Sequence, residues 1–99
     1  MVIFATKIWL HYMSRIGKIR LKLYKEPPPK DFTWEELKTL LISLEFEEVQ
    51  GNGSRVKFVH KTLDFPINIH RPHPQNTLKQ YSIKQIKEAL DELNILLGN

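Results

Sequence analysis

The chain has 99 residues, 41% of them hydrophobic and 10% aromatic, enough for one modest core and a single globular domain. It has no cysteine, which excludes disulfides, thiol nucleophiles and cysteine-ligated zinc, and suits a reducing, cytoplasmic setting. Its net charge of +4 is laid out in blocks. Residues 1–30 carry seven Lys/Arg against Glu26 alone, and residues 31–50 carry six acids against Lys38. Residues 51–87 carry seven Lys/Arg against Asp64, and Glu88, Asp91 and Glu92 turn the end acidic again. Blocks of one sign predict a polarised surface, one side of which attracts phosphates.

The opening segment, "MVIFATKIWLHYM", is apolar but interrupted by Lys7 and His11. It falls far short of the ~20 apolar residues that span a bilayer, and no membrane association is expected. It also lacks the basic start and small-residue cleavage site of a signal peptide. Met13 offers a second start, so residues 1–12 read as a translation-start artefact or a loose tail. Residues 14–26 are basic and compatible with a short helix, a strand or disorder. Pro27-Pro28-Pro29 reads as a stiff, extended linker. The expected organisation is a basic and apolar tail with its proline linker over 1–30, then a domain over 31–97.

The domain opens with a helix signal. Thr33 is placed as N-cap and Glu36, three residues on, completes a capping box. Phe32 and Leu37 are placed for a hydrophobic staple, and Trp34, Leu37, Leu40, Leu41 and Leu44 recur at helical spacing. Phe46 to Gln50 is a short strand candidate. Gly51-Asn52-Gly53 is a turn, because these residues tolerate the positive φ of a tight hairpin. From Ser54 to Lys61 the sequence alternates: Val56 and Phe58 face one way, Arg55, Lys57, Val59 and Lys61 the other. His60 falls on the apolar side and reads as a hydrogen-bonded, half-buried histidine. Phe65, Ile67 and Ile69 alternate with Pro66, Asn68 and His70 in a third strand; Pro66 cannot donate to a ladder, which puts it at the strand start or at an edge. Residues 71–76 form a loop by proline content. A second helix is expected with Ser82 as N-cap, Gln85 closing its capping box and Tyr81 stapled to Ile86. Its stripe is Ile83, Ile86, Leu90, Leu93 and Leu97, and Gly98 stops it.

The order is helix, three antiparallel strands, helix, an α+β fold. Both helices are expected on one side of the sheet. The open face then displays Arg55, Lys57, Lys61, Asn68 and His70.

Several motifs in this order resemble those of the HicA family of toxins from bacterial toxin–antitoxin systems. They are the helix ending "L-x-F-E-E-V" (Leu44 to Val49), Gly53-Ser54, the His/Pro loop from His70 to Pro74, and "L-K-x-x-S-I-x-Q-I" (Leu78 to Ile86). The likeness covers about residues 31–92. It implies an α-β-β-β-α fold like the double-stranded-RNA-binding domain, mRNA cleavage, and a HicB-type antitoxin partner. HicA toxins usually carry a catalytic histidine directly after Gly-Ser, and here Arg55 stands in that place. An arginine stays protonated throughout the neutral range and cannot act as a base.

Metal-independent RNA cleavage needs a base for the 2′-hydroxyl, an acid for the leaving 5′-oxygen and a cation for the phosphorane charge. Histidine suits the first two roles and arginine the third. The candidate catalytic residues are therefore His70 and His73. The candidate RNA contacts are Arg55, Lys57, Lys61, Asn68, Arg71, Lys79 and Lys84, with Lys87 also near the second helix's start, where the amide-rich helix end favours phosphate. His70 and His73 find no third or fourth ligand in the pattern, so no metal and no cofactor is expected. Ser54 reads as a turn-stabilising hydroxyl rather than a nucleophile. The competing readings are a non-catalytic RNA-binding or partner-binding module of the same fold, and an adaptor docking through the apolar N-terminal segment.

Overall fold

A computed structural model describes residues 14–98, so the tail reading of residues 1–12 lies outside the described residues. The elements in chain order are α1 (Ser14–Leu23), α2 (Trp34–Ser43), β1 (Phe46–Gln50), β2 (Arg55–His60), β3 (Pro66–His70) and α3 (Gln80–Leu96). The strands form one antiparallel sheet in the order β1-β2-β3. The expected α-β-β-β-α order is present as α2 to α3, with α1 preceding it.

α2 begins where the sequence signals it. Thr33 is extended, and its hydroxyl accepts from the Glu36 amide at 3.1 Å. The Glu36 carboxylate accepts from the Thr33 amide at 2.9 Å, closing the capping box. The helix buries Trp34, Leu37, Leu40 and Leu41. Just past its end Glu45 has φ 70, a left-handed position where glycine is commoner. That turn sends the chain into β1.

The sheet's inner face is set by alternation. Val56, Phe58, Ile67 and Ile69 are buried, while Arg55, Lys57, Asn68 and His70 are exposed. The inner side chains join the stripes of α2 and α3 in one cluster, with the Trp34 and Phe58 rings 5.8 Å apart. Among the described residues the sheet is therefore covered on one face and open on the other. Lys61 falls just past β2, where its amide donates to the Glu45 carbonyl.

The basic segment before the prolines resolves as α1. Ile19 and Leu23 enter the core, and Lys22 reaches the Glu36 carboxylate at 3.0 Å and the Asp31 carbonyl at 3.0 Å. Burial works against the Lys22 charge, but Glu36 and Asp31 outweigh it and raise its pKa above the ordinary lysine value. Burial alone would raise Glu36; the Thr33 amide and Lys22 outweigh that and hold its carboxyl below the usual carboxylate range.

α3 starts earlier than the sequence suggests. Lys79 is its N-cap, without a side-chain cap hydrogen bond, and Ser82 sits inside the first turn rather than capping it. Tyr81 is exposed rather than stapled, and the Gln85 amide donates to the Asn68 carbonyl at 2.7 Å instead of closing a capping box. The cause lies upstream. Leu78 is buried and its amide donates to the Phe32 carbonyl at 2.8 Å, while Thr33 bridges Thr77. The chain is thus fixed in space immediately before Lys79, and the helix begins as soon as it leaves that bridge.

The sign of the pH dependence follows from the Glu36 shift. A carboxyl lowered in the folded state contributes stability above its ordinary value, and the contribution is lost as pH falls through the lowered one. Glu36→Gln is expected to cost about 1 kcal/mol at neutral pH. In urea unfolding the gap to wild type should shrink below about pH 4. A gap that stays constant down to strong acid would show that the Glu36 charge is not involved.

Candidate nucleic-acid interface

The register of β2 and β3 assembles the site. Arg55 lies directly opposite His70, and Lys57 opposite Asn68. Opposed residues of an antiparallel pair share a face, so all four meet on the open side. On β1, Val49 stands opposite Lys57 and Glu47 opposite Val59, which limits the cationic zone to the hairpin end of the sheet.

That end is held by the turn and by Ser54. Gly51 donates its amide to the Arg55 carbonyl at 2.9 Å, and Gly53 takes φ 61. The Ser54 carbonyl accepts from the Arg71 amide at 2.7 Å, and its hydroxyl lies 3.3 Å from Nδ1 of His70. Ser54 thus ties the start of β2 to the end of β3 and fixes how the His70 ring sits.

Beyond His70 the chain encloses a cleft of about 300 Å³ between the end of β3 and the start of α3. His70, Arg71 and His73 line it from the β3 end, and Lys79, Tyr81 and Ser82 from the helix start. No carboxylate is among the described residues that line it. Its rim is stitched to the start of α2: the Trp34 amide donates to the Asn76 carbonyl at 2.9 Å, beside the Thr33–Thr77 bridge. The Arg71 guanidinium rests 5.7 Å from the Trp34 ring centre, a cation–π contact that braces the same wall.

The charges here lack carboxylate partners. Among the described residues the ion pairs are Lys22 with Asp31 and Glu36, Lys38 with Glu48, and Lys87 with Glu26. Arg55, Lys57, Arg71 and Lys79 are in none of them. Their field is uncompensated close by, as a phosphate-binding surface requires.

The sequence-predicted residues divide accordingly. His70, His73, Arg71 and Lys79 meet at the cleft, and Arg55, Lys57 and Asn68 flank it on the sheet. Lys61 does not join them: it lies six residues from Arg55, roughly 20 Å along the strand direction. Lys84 is exposed on α3 but outside the cleft lining. Lys87 is engaged elsewhere, bonded to Glu26 at 3.1 Å and lying over the Tyr24 ring, so the expected phosphate contact gives way to a brace between α3 and the segment after α1. His60 is buried, its Nδ1 accepts from the amides of Thr62 and Leu63, and its ring meets Phe46 edge-on.

Sequence reasoning missed Tyr81 and Ser82 as cleft residues. A signal for Ser82 was present: with Ile86 and Leu90 it repeats every fourth residue, which puts it on the buried stripe of α3.

A family model described as HicA toxin of bacterial toxin-antitoxin matches residues 34–94. The chain belongs to the HicA toxin family. The match begins at the first residue of α2 and ends within the last turn of α3, so the whole sheet and the cleft fall inside it and α1 lies before it. No curated protein and no solved structure matches the chain. As a HicA toxin it is one half of a toxin–antitoxin pair and has a cognate antitoxin. No described helix is long and apolar enough to cross a membrane.

The turn that positions Arg55 is sensitive to a single methyl group. A Cβ at Gly51 would stand 2.9 Å from the Arg55 carbonyl oxygen, a backbone atom that cannot move aside alone. Gly51→Ala is expected to cost about 1–2 kcal/mol. Thermal unfolding should show a lowered midpoint, and amide spectra should show displaced Arg55 and His70 signals. Unchanged spectra would mean that the hairpin has room to spare.

Proposed function

We propose that this HicA toxin is an RNA-binding endoribonuclease that cleaves mRNA without a metal ion, at the cleft between β3 and α3. The observation that supports it most is the pairing of Arg55 with His70 across the sheet. Arg55 occupies the position after Gly-Ser where HicA toxins usually carry their histidine. His70 stands opposite it on the same face. An imidazole is thus retained beside the usual place, supplied by the neighbouring strand.

The chemistry follows from the groups present. His70, with Nδ1 facing the Ser54 hydroxyl, has Nε2 left to take the proton from a ribose 2′-hydroxyl. The 2′-oxygen then bonds to the adjacent phosphorus. His73 gives a proton to the 5′-oxygen as its bond to phosphorus breaks, leaving a 2′,3′-cyclic phosphate and a 5′-hydroxyl. Arg55 and Arg71 carry the charge that builds on the phosphoryl oxygens, a role suited to fixed, forked guanidinium groups. Lys57, Asn68 and Lys79 hold the strand on either side, and Lys84 and Lys61 are outlying backbone contacts. The cognate antitoxin is of the HicB type. It silences the toxin by laying an acidic surface over the open face, and the pair works in the cytoplasm, where mRNA is.

The purified toxin, free of partner, is expected to cleave a generic mRNA in EDTA. His70→Ala should reduce the rate by roughly 100-fold or more with the circular dichroism unchanged. Intact RNA after long incubation with well-folded wild type would instead make it a non-catalytic RNA-binding module of the same fold.

Binding should also report the number of cations engaged. If Arg55, Lys57, Arg71 and Lys79 each neutralise one phosphate of a single strand, log Kd should rise with log salt at a slope of roughly 3. Lys57→Ala should lower that slope by about 0.7. A slope near zero would remove the electrostatic basis of the reading.

A further inference from the structure

We infer that the start of α3 is a nucleotide subsite for unpaired RNA, with a phosphate held by Ser82 and the first helix amides and its base stacked on Tyr81. The inference rests on the ribonuclease reading above and specifies what holds the strand beside the reacting phosphate.

Ser82 carries the inference. It is only 6% exposed, yet it lines the cleft. Among the described residues its hydroxyl has no hydrogen-bond partner. The only fully enclosed polar side-chain atom without a partner there is Trp34 Nε1, so the Ser82 oxygen is not sealed in, and the accessible space beside the residue is the cleft that it lines. A hydroxyl on a buried residue normally finds an acceptor or donor within the protein. This one is held in place by its backbone, whose amide donates to the Lys79 carbonyl at 3.0 Å, and its side chain is left for something outside.

The helix end is open in the same direction. Lys79, the N-cap, supplies no side-chain hydrogen bond to the first turn. Among the described residues the amides of Gln80 and Tyr81 have no backbone acceptor. Uncapped amides at the start of a 17-residue helix present partial positive charge, and the Lys79 ammonium adds a full one. A phosphate oxygen fits both the amides and the Ser82 hydroxyl, and no competing carboxylate side chain stands in the described lining.

Tyr81 supplies the second half. The residue is 65% exposed at the same cleft, next to Ser82 in the chain. An exposed ring beside uncompensated cations is the arrangement that single-stranded nucleic acids use, each base stacking while the backbone tracks the charge. Bases inside a duplex are already stacked on each other and cannot use the ring. The subsite therefore selects unpaired segments.

The test uses a short single-stranded 2′-O-methyl RNA, which binds but lacks the attacking hydroxyl, with affinity read by fluorescence anisotropy. Ser82→Ala and Tyr81→Ala are each expected to weaken binding about tenfold, with thermal unfolding unchanged. Tyr81→Phe should stay within about twofold of wild type, because the ring and not its hydroxyl stacks. A methylphosphonate at the linkage seated on α3 should abolish the difference between wild type and Ser82→Ala. With a duplex of the same sequence, wild type and Tyr81→Ala should bind alike. Wild-type affinity in Ser82→Ala overturns the subsite and leaves the ribonuclease reading standing. A loss in Tyr81→Phe equal to that in Tyr81→Ala overturns the stacking. Folded wild type that neither binds nor cleaves RNA overturns both readings together.

Discussion

The antiparallel register between β2 and β3 is the constraint on which the rest depends. Val56 and Phe58 on one strand, and Ile67 and Ile69 on the other, must all reach the core. Once they do, the two-residue period sends Arg55, Lys57, Asn68 and His70 to the opposite face in matched pairs. A slip of one residue would drive Arg55 into the apolar cluster without a partner, a cost of several kcal/mol that the fold could not absorb. Packing energy thus chooses the register, and the arrangement of cations and imidazole follows from it.

Charge separation is the second layer. Two of the four acids on α2 and β1 are held by lysines: Glu36 holds Lys22 of α1, and Glu48 on the helix-facing side of the sheet holds Lys38. These pairs consolidate α1 and α2 against the sheet while keeping carboxylates away from the open face. Glu47 is the exception on that face, and it lies two residues along β1 from the row that Val49 shares with Lys57. The basic block from 51 to 87 therefore retains its field where the cleft opens, apart from Lys87, which Glu26 neutralises.

How much of this could be read in the residues depended on the range of the forces involved. The capping box at Thr33, the glycine turn and the alternation of the middle strands are local, and each was legible within a few residues. That Arg55 and His70 share the open face was legible too, from the alternation of both strands; that they stand directly opposite is set by the register, which the residues alone do not give. α1 was not. Ile16, Ile19 and Leu23 have helical spacing, but a segment of 10 residues has marginal helicity alone, and it is contact with α2 that decides it. The start of α3 was misread for the same reason: the nearby Ser82 resembles a cap, while the bridge to Thr33 that sets the helix start is 44 residues away in sequence. Lys61 continues the alternation on paper, but it sits in the turn after β2, at the far end of the strand from Arg55.

Thr33 has two attachments, one to the first turn of α2 and one to Thr77 on the rim of the cleft. Ordering the helix and shaping the binding wall are therefore a single cooperative event. For the wall to open, the bridge that anchors it beside the start of α2 would have to break. Amino-acid changes at this junction should accordingly register as lower abundance in the cell before they register as altered selectivity.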